Sequence, residues 1–331
     1  MNLPAAFGSP PEAPAALAAV TIAREFNAPS FLPMVPLLRC PVDGTQLAWD
    51  KKSGLSCASR AHTFAIEADI PCLLMSHERL QDEPQIANAI KGLHEKSPAL
   101  NCRGYATRDN LKADVTVLAR MLNEQISHSA SIIEIGCGTG QVTNFLGMSW
   151  GRTVIGADLI MDSLKVAKEL RDRFAINNSH FLQMDLFRPS LAPASFDVVI
   201  VNGVLHHTSD WFGAFRSISR LVKPGGVIIV ELYNWLGRLP TLWWRPFADR
   251  RRRPYETRHS MSEILEWFDA EEFEFTASIP TIGDCEFSER MPLFEAQATG
   301  NRRDRGSSEL EMLLTGGRDG GLFVMIGRKR R

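Results

Sequence analysis

A doubly wound α/β fold, a mostly parallel sheet with helices on both faces, is the architecture this sequence of 331 residues predicts, with a small β-rich module ahead of it. Three observations predict it. From Asp109 onward, short apolar runs alternate with amphipathic helical stretches. The runs are continuously apolar, as strands buried on both faces of a parallel sheet must be. The first run then enters the turn IGCGTG, whose Gly136, Gly138 and Gly140 suit a tight turn with a ligand lying against bare backbone.

The elements follow in order. Residues 1–35, rich in Pro and Ala, read as a flexible leader without the positive start and apolar run of a signal peptide. Residues 36–76 carry short apolar runs separated by DG and SG turn signals and predict the β-rich module. A polar linker with some helix is expected over 77–108, and the main domain over 109–331. Leu111, Val115, Leu118, Met121 and Leu122 recur at helical spacing. SIIEIG is then a strand, followed by a helix from about Gly140, the strand TVIGAD, the helix SLKVAKELRDRF and the strand HFLQMD. FDVVIVN is the fourth strand, WFGAFRSISRLV a helix, and GGVIIVEL the fifth strand. The helix SMSEILEWFDA leads to FEFTASIP, and GLFVMIGRK is the last strand. The stretches 235–258 and 281–316 exceed simple connections and predict lids over an acceptor pocket.

Hydrophobic residues at 44% and charged residues at 23% are ordinary for a globular chain. The formal net charge of -1 supplies no global field for nucleic acid or an anionic membrane, which favours a small substrate. No stretch approaches the roughly 20 apolar residues of a membrane span. Six cysteines at irregular spacing suit a reducing compartment, so a cytoplasmic protein is expected.

What the glycine turn binds decides the function. A dinucleotide fingerprint needs G-x-G-x-x-G, but Gln141 stands where the last glycine belongs, and Glu134 just upstream would repel a pyrophosphate. S-adenosylmethionine carries a cationic ammonium and sulfonium in place of phosphate, and Glu134 would favour it. Asp158, ending the second strand before Leu159, can accept from both ribose hydroxyls. Asp185, closing the third strand, can accept from the adenine amino group while the Leu186 N–H donates to a ring nitrogen. Cys137 reads as a small filler beside the cofactor, because nothing nearby would lower its pKa.

With these residues in view, the stretch from about 109 to 330 resembles the class I S-adenosylmethionine-dependent methyltransferases. EIGCGTG, GADL, QMDLF, FDVVIVNGVLHHTSD and LVKPGGVIIVELYN are similar to five of their motifs in order. The resemblance implies seven strands in the order 3-2-1-4-5-7-6, the last antiparallel, and places His206 and His207 after the fourth strand, facing the methyl donor. Either is a candidate base or acceptor-positioning group. Adjacent residues cannot both point into one pocket from a regular segment, so at least one is expected to be structural. Asn202 would touch the methionine part. Tyr233, Trp235, Trp243, Trp244, Tyr255 and His259 are candidates to line an aromatic acceptor site, or to pack the lid onto the domain.

The module resembles the zinc ribbons found beside methyltransferases, which hold zinc with two C-x-x-C knuckles. Here the knuckles read Cys40-Pro-Val-Asp43 and Cys57-Ala-Ser-Arg60. Asp43, His62 or Cys72 offers a substitute ligand, but the expectation is a ribbon without metal, kept by packing on the main domain and covering the acceptor entrance or a dimer surface. The expected activity is methyl transfer to an O, N, S or C atom of a small metabolite. An RNA methyltransferase, suggested by the ribbon and Arg250 to Arg253, and a non-catalytic cofactor-binding scaffold are the alternatives.

Overall fold

The computed structural model describes residues 29–75, 108–109, 111, 123, 126–149, 152–233, 259, 261–280 and 322–331. The leader, the linker and both lid stretches lie almost wholly outside them, as does most of the helix expected around 111–122.

A 3-10 turn, Leu32–Leu37, opens the described chain. Strands β1 (Leu47–Asp50), β2 (Gly54–Cys57) and β3 (Thr63–Phe64) form a three-stranded antiparallel sheet. β4 (Ile66–Glu67) and β5 (Ile70–Leu73) are a hairpin. The main domain contributes β6 (Ser131–Ile135), helix α1 (Gln141–Gly147), β7 (Thr153–Asp158), helix α2 (Met161–Arg173), β8 (Ser179–Met184) and β9 (Phe196–Val201). Helix α3 (Trp211–Ser219), β10 (Val222–Tyr233), helix α4 (Met261–Ala270), β11 (Phe273–Pro280) and β12 (Leu322–Lys329) complete it.

The large sheet runs β11-β12-β10-β9-β6-β7-β8-β5-β4. Its seven main-domain strands have the order expected from the motifs, with β12 antiparallel to both β10 and β11. The sheet does not stop at β8. β5 pairs with it in parallel through Cys72 and Leu73, so part of the module extends the main sheet. The attachment continues beyond the strands, since Arg39 N–H donates to Ser190 O at 2.9 Å and Ala192 N–H to Leu37 O at 2.8 Å.

Alternation along the strands divides the core. Ile133, Ile155, Val199 and Val230 face a cluster shared with Phe31 and Met34, from the end of the stretch read as leader, and Leu38 of the module, whereas Ile132, Val154, Ile200 and Ile229 face Ile126, Val142 and Phe145. Each fully buried Ile or Val contributes about 1.5–3 kcal/mol.

The helices have local causes. In α2, Asp162 stands in the first turn and Arg171 and Arg173 in the last, each complementing the helix dipole. Lys168 and Asp172 pair one turn apart at 2.6 Å. α3 is capped by Asp210, whose carboxylate accepts from Gly213 N–H at 2.9 Å.

Candidate active site at the carboxyl ends of the strands

The three glycines of the turn after β6 have different jobs. All adopt positive φ, +72° at Gly136, +51° at Gly138 and +73° at Gly140. A methyl group on Gly136 would stand 2.2 Å from Val204 Cγ2, so the segment after β9 lies directly on the turn. One on Gly140 would stand 2.5 Å from Ala167 Cβ, where α2 packs against the start of α1. Over Gly138 there is open space. Gly136 and Gly140 therefore serve close packing, and Gly138 is the position that leaves room for a ligand.

Asp158 locks this turn. Its Oδ2 accepts from Gly138 N–H at 2.8 Å and its Oδ1 from Ile160 N–H at 2.9 Å. Each carboxylate oxygen keeps a second lone pair for a ligand hydroxyl. Burial pushes the Asp158 carboxyl above its usual range. Gln183 Nε2 donates to Leu159 O at 2.9 Å, bracing the loop after β7 from β8.

Glu134 is buried, with Oε2 accepting from Thr143 Oγ1 at 2.5 Å. Burial raises its carboxyl to about 7, against a partial lowering by Thr143. Thr143 sits on α1, so Glu134 ties the strand to the helix on either side of the turn. Cys137 is buried and its thiol is pushed well above the ordinary value by that burial, then by Asp158 and Glu134, consistent with a filler. Asp185 Oδ1 accepts from Phe187 N–H at 2.8 Å, fixing the turn after β8, and Leu186 O accepts from Ser217 Oγ of α3.

His206 and His207 lie on the 3-10 turn Leu205–His207, two and three residues past Val204. Their rings meet edge-on at 4.2 Å between centroids. His206 is buried and His207 partly exposed, so they face different surroundings. Asn202, just beyond β9, has a buried Oδ1 without a hydrogen-bond partner among the described residues. Glu231 of β10, absent from the sequence-derived candidates, shares that condition at Oε1 and is 3% exposed. Burial raises its carboxyl to about 8. Register pairs Val230 with Val201, which sets Glu231 level with Asn202. The signal in the sequence was a lone acid inside VIIVELY.

Of the aromatic acceptor candidates, Trp235, Trp243, Trp244 and Tyr255 lie outside the described residues, and Tyr233 is placed only as the end of β10. His259 is buried, its ring 4.5 Å from that of Trp211 and 4.9 Å from that of Trp267. Trp211 and Trp267 stack at 4.1 Å, joining α3 to α4. His259 thus belongs to an aromatic seam between helices.

Residues 133–230 match the methyltransferase domain family, and they span the glycine turn, Asp158, Asp185 and the histidine turn. Residues 133–230 carry a methyltransferase domain. A demethylmenaquinone methyltransferase of Lactococcus lactis is 36% identical over 101 residues, 30% of this chain and 40% of the relative. A trans-aconitate 2-methyltransferase of Escherichia coli is 30% identical over 160 residues, 46% of this chain and 59% of the relative. An uncharacterised Synechococcus protein is 30% identical over 109 residues, 32% of this chain and 26% of its own length. This chain therefore spans about a quarter to three fifths of these relatives. Among solved structures, the YcgJ protein of Bacillus subtilis is similar with a TM-score of 0.46 and 19% identity, over 64% of this chain and 98% of that one.

The cofactor of the methyltransferase domain is S-adenosylmethionine. The site fits it on its own geometry, because the space over Gly138 adjoins the Asp158 carboxylate at the end of β7, and the turn from Gly136 to Gly140 itself carries no basic side chain for a pyrophosphate.

Proposed function

We propose that this protein transfers the methyl group of S-adenosylmethionine to a small-molecule acceptor. The observation that carries the reading is the open space over Gly138, whose N–H is held by Asp158, in a turn where Gly136 packs against Val204 of the segment that leads into His206 and His207. Relatives whose names give the acceptors demethylmenaquinone and trans-aconitate support a small molecule over RNA.

When bound, the cofactor supplies an electrophilic methyl group on a cationic sulfur. The protein's work is to hold, align and exclude water. Asp158 holds the ribose hydroxyls through the lone pairs that Gly138 and Ile160 leave, with Leu159 beside it. Asp185 and the Leu186 N–H hold the adenine edge. Glu134 keeps the glycine turn in register with α1 and, when ionised, favours a cationic ligand. Gly136, Cys137 and Gly140 let the surrounding chain close on the turn. Asn202 offers its buried Oδ1 to the methionine amino group or to a donor on the acceptor.

A proton must leave where the attacking atom carries one. The histidine turn is the proposed source of that step, and His207, the more exposed of the pair, can pass a proton to water. His206 is the alternative base or the group that orders the turn. Lid residues Trp235, Trp243, Trp244 and Tyr255, with Tyr233, are proposed to line the acceptor pocket.

The test is incubation with trideuteromethyl S-adenosylmethionine and an extract of the source cells, followed by mass spectrometry of metabolite and RNA fractions. A labelled metabolite, absent with Asp158→Ala, is expected. Label confined to RNA nucleosides would replace this reading with an RNA methyltransferase.

A further inference from the structure

The two degenerate knuckles of the module converge in space. The first is a turn closed by Cys40 N–H donating to Thr45 O at 2.8 Å, and the second by Cys57 N–H donating to His62 O at 3.1 Å. Each begins with a cysteine, is closed five residues on, and contains one residue at positive φ, Gly44 at 74° and Arg60 at 55°. The loops are thus two versions of one device facing each other.

Between them, Cys40 Sγ, Cys57 Sγ, His62 Nδ1 and an Asp43 carboxylate oxygen all lie within 4.8 Å of one another. Cys40 Sγ is 3.5 Å and Cys57 Sγ 3.6 Å from His62 Nδ1, which is 3.3 Å from Asp43 Oδ2. Metal–sulfur bonds of about 2.3 Å and metal–nitrogen or –oxygen bonds of about 2.0–2.1 Å set the ligand atoms of a tetrahedral zinc site about 3.3–3.8 Å apart. The three measured edges fall in that range.

We propose that Cys40, Asp43, Cys57 and His62 form a tetrahedral site for a structural divalent metal of the zinc class. Asp43 takes the place of the missing cysteine of the first knuckle, and His62, just past the second, supplies the fourth ligand. Arg60 does not oppose this, because its side chain is exposed. Cys72 stands apart on β5, with Sγ directed to Ile70 O.

The surroundings are those of ligands held in advance. Asp43 Oδ1 accepts from Thr45 N–H at 2.9 Å and Thr45 Oγ1 at 2.6 Å, which aims Oδ2 at the centre of the group. The His62 N–H donates to Cys57 Sγ at 3.3 Å, and Ser59 Oγ lies 3.1 Å from the same sulfur. Such donors stabilise thiolates, the form that binds metal. Cys40 and Cys57 are each 2% exposed, whereas the His62 and Asp43 side chains are 33% and 30% exposed and give an ion its entry path. Two sulfur, one nitrogen and one oxygen donor in this geometry select zinc over the harder, oxygen-preferring calcium and magnesium.

The experiment is elemental analysis of the full-length protein produced with zinc, paired with cobalt substitution followed by visible absorption. About one zinc per chain is expected, with tetrahedral cobalt bands and thiolate-to-cobalt charge transfer. Cys57→Ser and His62→Ala should lose the ion, and Cys72→Ser should retain it. Asp43→Cys guards against variants that merely misfold, since it should keep the ion and raise the charge-transfer intensity by about half as a third thiolate joins. No retained zinc and no tetrahedral cobalt spectrum would overturn the site. A Cys40–Cys57 disulfide in protein purified without oxidant would do so equally.

Discussion

Two glycines two residues apart answer to different pressures, and substitution separates them. At Gly136 an added methyl meets Val204 Cγ2 at 2.2 Å in a left-handed backbone, so Gly136→Ala is expected to cost about 1–3 kcal/mol of stability in denaturant unfolding. At Gly138 the space is open, so Gly138→Ala should keep more of the stability while lowering cofactor affinity by about tenfold or more. The spacing of the glycines was legible in the sequence, but this division was not, because it depends on Val204 and Ala167 arriving from other elements. Glu134 adds a second prediction. Its carboxyl near 7 in the ligand-free protein must ionise fully beside a cationic ligand, so cofactor affinity should rise with pH between about 6 and 8, with proton release. Titration calorimetry in buffers of different ionisation enthalpy measures that release, and Glu134→Gln should abolish it. The same acid was read from sequence as a group biasing the turn toward a cation. Its bond to Thr143 was hidden, because a residue on the next helix makes it.

At the scale of elements, the apolar runs identified β6 to β10 and β12 because strands buried on both faces have little freedom of composition. The joining of β5 to β8 was not legible, since parallel pairing between residues 72 and 183 leaves no local signature. It matters to the site, because the module grips the segment after Asp185 through Ser190 and Ala192. Asp43 and His62 were legible in the sequence as substitute ligands beside Cys40 and Cys57, but their gathering was not, because it depends on how two turns 17 residues apart fold against each other. Arg152 illustrates another unseen join. Buried just before β7, it donates to the carbonyls of Asn123 and Ile126 at 2.7 and 2.6 Å and of Ser127 at 3.3 Å. These bonds fasten the segment preceding β6 to the start of β7. Arg152→Ala would strand those carbonyls and is expected to destabilise the fold by about 3 kcal/mol, measured by urea unfolding.

For the whole molecule, the buried acids give stability a definite pH dependence. Glu134 and Glu231 are raised from 4.5 to about 7 and about 8, so in this window the native state holds protons that the unfolded chain releases. The stability they contribute is full below about 4.5 and is lost as pH rises through 7 and 8. His180, pushed down to about 4 by burial, acts with the opposite sign, but only below its ordinary 6.5. Above that pH Cys57, lowered to about 7 chiefly by the Ser59 hydroxyl, opposes the fall but is one group against two. Thermal melts of the cofactor-free protein should therefore decline from pH 6.5 to 8.5, and Glu231→Gln should flatten the decline. Bound cofactor should offset part of it, because mass action favours the state that holds ligand. The central claim is that the carboxyl ends of β6, β7 and β8 form an S-adenosylmethionine site organised by Asp158 and Gly138. Titration calorimetry of S-adenosylmethionine against the wild type, Asp158→Ala and Gly138→Ala tests it most directly. Saturable binding by the wild type, weakened about tenfold or more in both variants while their folds persist by circular dichroism, is the result the account predicts. No binding by the wild type, or equal binding by all three, would contradict it.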